Sequence, residues 1–127
     1  MRLMFGMRRP KRFVRGADVA GVVVAVGEGV TRFAVGDSVF GEGPGGGCGQ
    51  YLTVNATSVV AIPDGVSFEN AGATPVAGLT ALQGLRTHGD VQPGERVLIN
   101  GAAGGVGTMA VQVAKALGAR VTAVCST

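Results

Sequence analysis

The sequence predicts an α/β protein in which an all-β part precedes a strand–helix–strand unit. In the first half, short runs rich in β-branched residues are separated by turns that contain glycine and proline, which is typical of a β-barrel or sandwich. In the second half, apolar runs at residues 97–99 and 121–124 flank a stretch with helical periodicity. These three pieces fit within the roughly 30 residues of one βαβ unit. We therefore expect a first domain over residues 1–73 and a second over residues 74–127.

The first domain contains four predicted strands. Residues 19–27 form a valine-rich run, punctuated by glycine, that we expect to be a strand buried on both faces. The other three strands are shorter and cover residues 38–41, 50–55 and 59–62. Turn residues or a glycine-rich loop separate them, which predicts a piece of an all-β barrel.

Two helices are predicted between these strands and the βαβ unit. Ser67 can cap a short helix that ends near Ala71. Thr74 followed by Pro75 predicts the start of a second helix, because proline is favoured at the first helical position. Gly89 is expected to end that helix.

A glycine-dense segment links the first strand of the βαβ unit to its helix. Gly104 and Gly107 occupy the last two glycine positions of the pattern G-x-G-x-x-G, and Ala102 replaces the first. The helix is expected to include residues 108–117, and Gly118 provides the left-handed residue favoured at a helix end. Its predicted apolar face consists of Val106, Ala110, Val113, Ala114 and Leu117.

This segment predicts a phosphate site. A helix N-terminus carries unpaired N–H groups and about half a positive charge, and glycines leave room for phosphate to approach. Because a strand precedes the glycines and an amphipathic helix follows them, we interpret the segment as the phosphate-binding turn of a dinucleotide site. A glycine-rich helix entry that binds nothing is the alternative.

The end of the second strand indicates which dinucleotide is bound. An NAD site usually carries Asp or Glu about 20 residues past the glycines. Here Cys125, Ser126 and Thr127 occupy that position, and no acid is present. Hydroxyl groups can donate to a 2′-phosphate, so we predict NADPH rather than NADH, with Ser126 and Thr127 in the cofactor site.

Composition indicates a globular protein of 127 residues, 46% of them hydrophobic and 15% charged. No apolar run reaches the roughly 20 residues of a membrane span, so we expect no membrane partner. Cys48 and Cys125 are expected to be free thiols in a reducing compartment, which predicts a cytoplasmic protein.

Basic residues are concentrated at the start of the chain, where six of the eleven precede the first acid, Asp18. We interpret this basic head as a solvated surface segment and expect no nucleic-acid partner. A mitochondrial presequence and a nucleic-acid-binding arm are the alternatives.

Candidate catalytic side chains are few. The single histidine, His88, lies at a predicted helix end, where its ring can interact with the helix dipole. Asp37 is interpreted as a turn residue, and strand packing explains Tyr51. The catalytic acid or base is therefore unknown.

Five sequence blocks resemble the zinc-independent quinone oxidoreductase branch of the medium-chain dehydrogenase/reductase superfamily. They occur in the order of that family and cover nearly the whole chain: GADVAGVV at 16–23, VGEGVTRF at 26–33, VGDSVFG at 35–41, AGLTA at 77–81 and the glycines of 101–107. A further segment departs from the family pattern: residues 46–51 read GGCGQY, where family members usually have GAFAEY.

The zinc-dependent branch differs from this chain at its metal ligands. Those enzymes carry a histidine where Ala17 stands and a four-cysteine lobe where Cys48 stands alone. Since zinc normally takes four nitrogen, sulfur or oxygen ligands, no metal site is predicted.

The resemblance implies an enzyme that transfers a hydride from NADPH to a quinone or to an activated enone or aldehyde, and that forms a homodimer. It implies that the pyrophosphate is held by Ala103, Gly104, Gly105, Val106 and Gly107. Thr80 matches the threonine of that family near the nicotinamide. A non-catalytic NADPH-binding protein, as in related lens crystallins, is the alternative.

The resemblance also implies a fold and an extent. The chain matches the later part of a GroES-like domain and the first βαβ unit of a Rossmann domain. Family members have further strands before this region and further βα units after it. We therefore expect the 127-residue chain to be a fragment that is inactive on its own.

Overall fold

A computed structural model describes residues 14–126 of the chain. It divides into two compact units, one that ends at Pro75 and one that begins at Val76. In the described part of the chain, no helix has both the length and the apolar character needed to cross a membrane. The basic head lies almost entirely in residues 1–13, outside the described residues, so its interpretation stays a prediction.

The first unit is built on a three-stranded antiparallel sheet. Its strands are β1 (Asp18–Val22), β2 (Ser38–Glu42) and β3 (Val59–Ala61), in the order β1-β2-β3. Phe40 in the central strand is the register partner of both Ala20 and Val60. The β2 and β3 predictions from the sequence are confirmed within a residue or two.

The first strand is shorter and more exposed than the sequence predicts. The β1–β2 pairing ends soon after Val22: the Val23 N–H donates to the Asp37 carbonyl and the Val23 carbonyl accepts from the Gly36 N–H, both at 2.9 Å. Val24 and Val26 then lie outside the sheet, with 62% and 44% of their surface exposed. The expectation of a strand over 19–27 buried on both faces is wrong, because β2 turns away through Gly36 and Asp37 and leaves the later valines unpaired.

Residues 50–55 do not form the predicted strand. Within the described residues no strand pairs with them, and Asn55 instead caps a short 3-10 turn, Ala56–Ser58, through its side chain. Tyr51 is 72% exposed, so the strand packing proposed for its ring is also wrong. Alternating apolar residues specify a strand only where a neighbouring strand can pair with them.

Two helices follow the sheet as predicted. Helix α1 covers Phe68–Gly72, and the Ser67 hydroxyl accepts a hydrogen bond from the Asn70 N–H at 3.3 Å. Helix α2 covers Pro75–Leu82 and continues as a π-helical stretch, Gln83–His88, before Gly89 ends it.

The second unit contains the βαβ motif. Strand β4 (Arg96–Asn100), helix α3 (Gly105–Ala116) and strand β5 (Arg120–Val124) follow one another, and the two strands pair in parallel. Helix α3 starts three residues earlier than residue 108, where the glycine-free stretch begins. At the other end, Gly118 has a φ of 82°, the left-handed conformation expected there.

One face of the β4–β5 pair carries the core of this unit. Ile99, Ala102 and Ala114 are buried together, and Leu85 from the π-helical stretch packs against them. The predicted helix face is confirmed at Ala114, which has no exposed surface. Two other residues of helix α3 differ from the predicted apolar face. Val111 packs against the core, whereas Val106 remains 43% exposed because it lies in the first turn, beyond the end of the sheet.

Candidate functional site: the glycine-rich loop and the start of helix α3

The glycine-rich loop, residues 101–104, connects the end of β4 to the start of α3. Gly101 has a φ of 71°, a left-handed conformation that glycine adopts readily. The Gly104 N–H donates to the Gly101 carbonyl at 3.0 Å, which closes the loop into a tight turn. The Ala102 N–H donates to the Val124 carbonyl at 2.9 Å and ties the loop to the end of β5.

Gly107 lets the first turn of α3 lie directly on this loop. A Cβ atom at Gly107 would press on the Gly101 carbonyl oxygen and would lie 2.7 Å from the Ala102 Cα. Gly107 is buried, and only a residue without a side chain fits there. The packing of the helix on the loop thus explains why residue 107 is a glycine. Its N–H group lies at the start of the helix, together with those of Gly105 and Val106.

The helix N-terminus presents unpaired backbone donors. Gly104 is the N-cap residue and contributes no side-chain cap. Among the residues that the structure describes, the N–H groups of Gly105, Val106 and Gly107 donate to no protein acceptor, as expected for a first helical turn. A Cβ atom at Gly105 would have no neighbour within 4 Å outside the helix's own backbone, so the space beside this residue is open.

This geometry fits a phosphate group. Three N–H groups point the same way along the helix axis, and the helix dipole adds partial positive charge at the same place. Neither Gly104 nor Gly105 carries a side chain that would prevent close approach of an anion. The residues present can therefore hold the pyrophosphate of a dinucleotide.

The end of β5 lies at the same edge of the sheet. Asn100 at the end of β4 is the register partner of Val124 at the end of β5. Cys125 and Ser126 follow directly, and both are exposed. The structure thus brings Ser126 to the edge from which the glycine-rich loop rises, whereas Thr127 lies outside the described residues.

Thr80 lies on helix α2 and is not part of this loop. Its hydroxyl donates to the Val76 carbonyl one turn earlier, at 2.6 Å, and its side chain is exposed. The assignment of Thr80 to the nicotinamide side of the cofactor stays a prediction.

The other residues considered from the sequence have ordinary surroundings. His88 ends the π-helical stretch and is exposed. Asp37 accepts a hydrogen bond from the Ala34 N–H at 2.9 Å, as expected of a turn residue. Cys48 and Cys125 are free and exposed. Over residues 14–126, no three His, Cys, Asp or Glu side chains are grouped so that they could hold a metal ion.

One residue of the loop's environment was missed from the sequence. Thr108, in the first turn of α3, donates a hydrogen bond from its hydroxyl to the Gly105 carbonyl at 2.9 Å. The sequence does indicate this hydrogen bond, because a threonine follows the last glycine directly. Threonine in a helix can donate to a carbonyl three or four residues earlier.

Known proteins resemble this chain over most of its length. Residues 2–64 match the family model of the alcohol dehydrogenase GroES-like domain. The polyketide synthase GfsB of Streptomyces halstedii is 47% identical over 111 residues, which are 87% of this chain and 2% of that protein.

Two solved structures resemble the chain over nearly its whole length. The CurK enoyl reductase has a TM-score of 0.88 and 41% identity, over 98% of this chain and 38% of that one. The Escherichia coli quinone oxidoreductase, solved in complex with NADPH, has a TM-score of 0.82 and 35% identity, over 96% of this chain and 38% of that one. The chain therefore spans a small part of its curated relatives and little more than a third of these structures.

In this chain, part of a GroES-like domain is followed by a βαβ unit with a glycine-rich turn. The chain belongs to the medium-chain dehydrogenase/reductase family, whose quinone oxidoreductases and enoyl reductases are its structural neighbours. The α/β fold, with part of a GroES-like domain ahead of a Rossmann-type unit, is as the sequence predicted.

Proposed function

We propose that this chain is the nucleotide-binding part of an NADPH-dependent reductase that reduces an activated carbon–carbon double bond, such as that of an enoyl thioester. The start of helix α3 carries this proposal. Three N–H groups there donate to no protein acceptor, and neither Gly104 nor Gly105 carries a side chain that could obstruct them. Such an arrangement suits a pyrophosphate.

The choice of NADPH over NADH rests on the end of β5. The three residues that follow Val124 are Cys125, Ser126 and Thr127, and none of them is a carboxylate that could accept the ribose hydroxyls of NADH. The Ser126 hydroxyl can donate to a 2′-phosphate. The E. coli quinone oxidoreductase and the mycobacterial protein Rv1454c, both similar in structure, are complexes with NADPH.

Two substrate classes have specific support. The polyketide synthases and enoyl reductases among the relatives favour an enoyl substrate within a larger enzyme. The similar quinone oxidoreductases favour a quinone as the second candidate. Both acceptors take up a hydride at a polarised double bond, so one cofactor site can serve either.

The residues of this chain would bind and orient the cofactor. The N–H groups of Gly105, Val106 and Gly107 would hold the pyrophosphate, while Ser126 would bind the 2′-phosphate. When bound, NADPH supplies the hydride, and the protein supplies its position. We propose a reaction without zinc, because Ala17 replaces the histidine of the zinc-dependent relatives and Cys48 stands alone.

Cofactor binding tests the proposal through Gly105→Val. The substitution places a side chain next to the N–H groups of the helix start, and its Cβ atom has no neighbour within 4 Å outside the helix's own backbone. We expect NADPH affinity to fall about tenfold or more, which corresponds to roughly 1.4 kcal/mol. Gly27→Val is the matched control, because Gly27 also has no neighbour within 4 Å and lies in the other unit. Equal losses in both variants, or none in either, would contradict the assignment.

Turnover separates the candidate functions. The polypeptide that carries this chain is mixed with NADPH and either a 2-enoyl thioester or a quinone, and the loss of NADPH absorbance is followed. Faster oxidation with the enoyl thioester supports the proposal, and faster oxidation with the quinone supports the second candidate. Binding without turnover of either would favour a non-catalytic NADPH-binding protein.

A further inference from the structure

Thr108 is bonded to the peptide unit that carries one of the three free donors. Its hydroxyl donates to the Gly105 carbonyl at 2.9 Å. That carbonyl and the Val106 N–H belong to the same peptide group. Because a peptide group is planar and rigid, fixing the direction of its carbonyl also fixes the direction of its N–H.

The hydrogen bond also affects the strength of the donor. A hydrogen bond accepted by a carbonyl polarises its peptide group, so the N–H at the other end becomes a better donor. The Thr108 side chain is branched at Cβ and has few rotamers in a helix, which keeps its hydroxyl on this carbonyl. The Thr108 N–H itself donates to the Gly104 carbonyl at 2.9 Å, so the same residue is tied to two successive peptide groups of the helix entry.

We propose that Thr108 is a positioning residue of the cofactor site, which holds the Gly105–Val106 peptide group so that the Val106 N–H faces the pyrophosphate. The proposal rests on the proposed function, since it assumes that a pyrophosphate binds at this helix end. Thr108 acts only through the backbone and does not itself contact the reacting atoms.

The first test measures affinity for two ligands. Thr108→Val removes the hydroxyl and keeps the shape of the side chain. We expect its affinity for NADPH to fall about three- to tenfold, the range of a single net hydrogen bond. Affinity for 2′-AMP, which has no pyrophosphate, should stay unchanged. Thr108→Ser keeps the hydroxyl and should bind NADPH within about twofold of the wild type.

A matched control removes the same kind of hydrogen bond elsewhere. The Thr74 hydroxyl donates to the Asn70 carbonyl at 2.7 Å, in the turn between α1 and α2. Thr74→Val should therefore leave the affinity for both ligands unchanged. If Thr108→Val unfolds, Thr108→Ala provides the same loss of the hydroxyl in a residue that favours helix more strongly.

The second test observes the donor directly. In nitrogen-15-labelled chain, the Val106 amide resonance should move when inorganic pyrophosphate is added, and this movement should be smaller in Thr108→Val. Unchanged NADPH affinity and an unchanged Val106 response in that variant would overturn the positioning role. A wild-type chain that binds neither NADPH nor pyrophosphate would instead overturn the proposed function itself.

Discussion

Two glycines of the helix entry have opposite surroundings, and this difference can be measured. Gly105 faces open space, whereas a Cβ atom at Gly107 would collide with the backbone of the loop before it. Substitution at Gly105 should therefore affect ligand binding, and substitution at Gly107 should affect folding.

Gly107→Ala is expected to lower the free energy of unfolding by about 1–3 kcal/mol, because backbone atoms of Gly101 and Ala102 must move to admit one methyl group. Gly105→Ala should change stability by less than about 0.5 kcal/mol. Urea unfolding of the two variants checks this pair. Equal stability would show that the helix does not lie as close to the loop as the structure has it.

The Glu69 side chain should make the stability of the protein depend on pH. Its own backbone N–H and the Ser67 hydroxyl hydrogen-bond the carboxylate and hold the pKa of Glu69 below its usual value. Because the pKa of Glu69 is lower in the folded state, its carboxylate stabilises the folded protein above the usual carboxyl pKa. This stabilisation is lost as the pH falls through the folded-state pKa.

We therefore expect Glu69→Gln to be less stable than the wild type near neutral pH, with the difference vanishing once the pH falls below the folded-state pKa of Glu69. Thermal unfolding of both proteins as a function of pH measures this. A difference between them that persists in acid would show that the hydrogen bonds at Glu69 do not depend on its charge.

At the scale of elements, helix α3 is specified by the small residues on its buried face. Ala114 has no exposed surface and lies against Ile99 and Ala102. Ala114→Leu should destabilise the second unit by about 1–3 kcal/mol through overpacking. Ala116→Leu, on the exposed side of the same helix, should have little effect. Amide hydrogen exchange of β4 and β5 measures the effect of both substitutions. If these strands remained as protected in Ala114→Leu as in the wild type, the result would contradict this packing.

The elements differ in how well the sequence predicts them, for physical reasons. The βαβ unit could be predicted because its signals are local: apolar runs, a glycine turn, a helical period and Gly118. The strand over 50–55 could not, because a strand also needs a neighbour, and sequence periodicity does not show whether one is present.

The candidate site likewise has a part that the sequence predicts and a part that it does not. The glycine pattern predicts the loop and its N–H groups, because those depend on backbone conformation alone. The hydrogen bond from Thr108 to Gly105 depends on a side-chain rotamer, which the sequence leaves open. The role of Gly107 in packing likewise becomes visible only when the distance to Ala102 is known.

At the scale of the whole molecule, apolar surface limits stability. Within residues 14–126, four of the seven buried apolar residues are alanines, which bury little area each. Meanwhile Leu98, Val35 and Val24 are 68%, 66% and 62% exposed. Since stability is a small difference between large terms, we expect the isolated chain to be marginally stable.

This expectation is tested by thermal unfolding of the 127-residue chain with and without NADPH. The transition should be broad and at low temperature, and NADPH at about 100 times its dissociation constant should add roughly 2.7 kcal/mol. A sharp transition at high temperature that NADPH does not shift would contradict both the marginal stability and the cofactor assignment.

The most direct test of the proposed cofactor site is an NMR titration of the nitrogen-15-labelled chain with NADPH. We expect the largest amide shifts at residues 103–107 and at Ser126, and smaller shifts at Ser126 with NADH. Shifts concentrated in the first unit, or no saturable shifts at the start of helix α3, would contradict it.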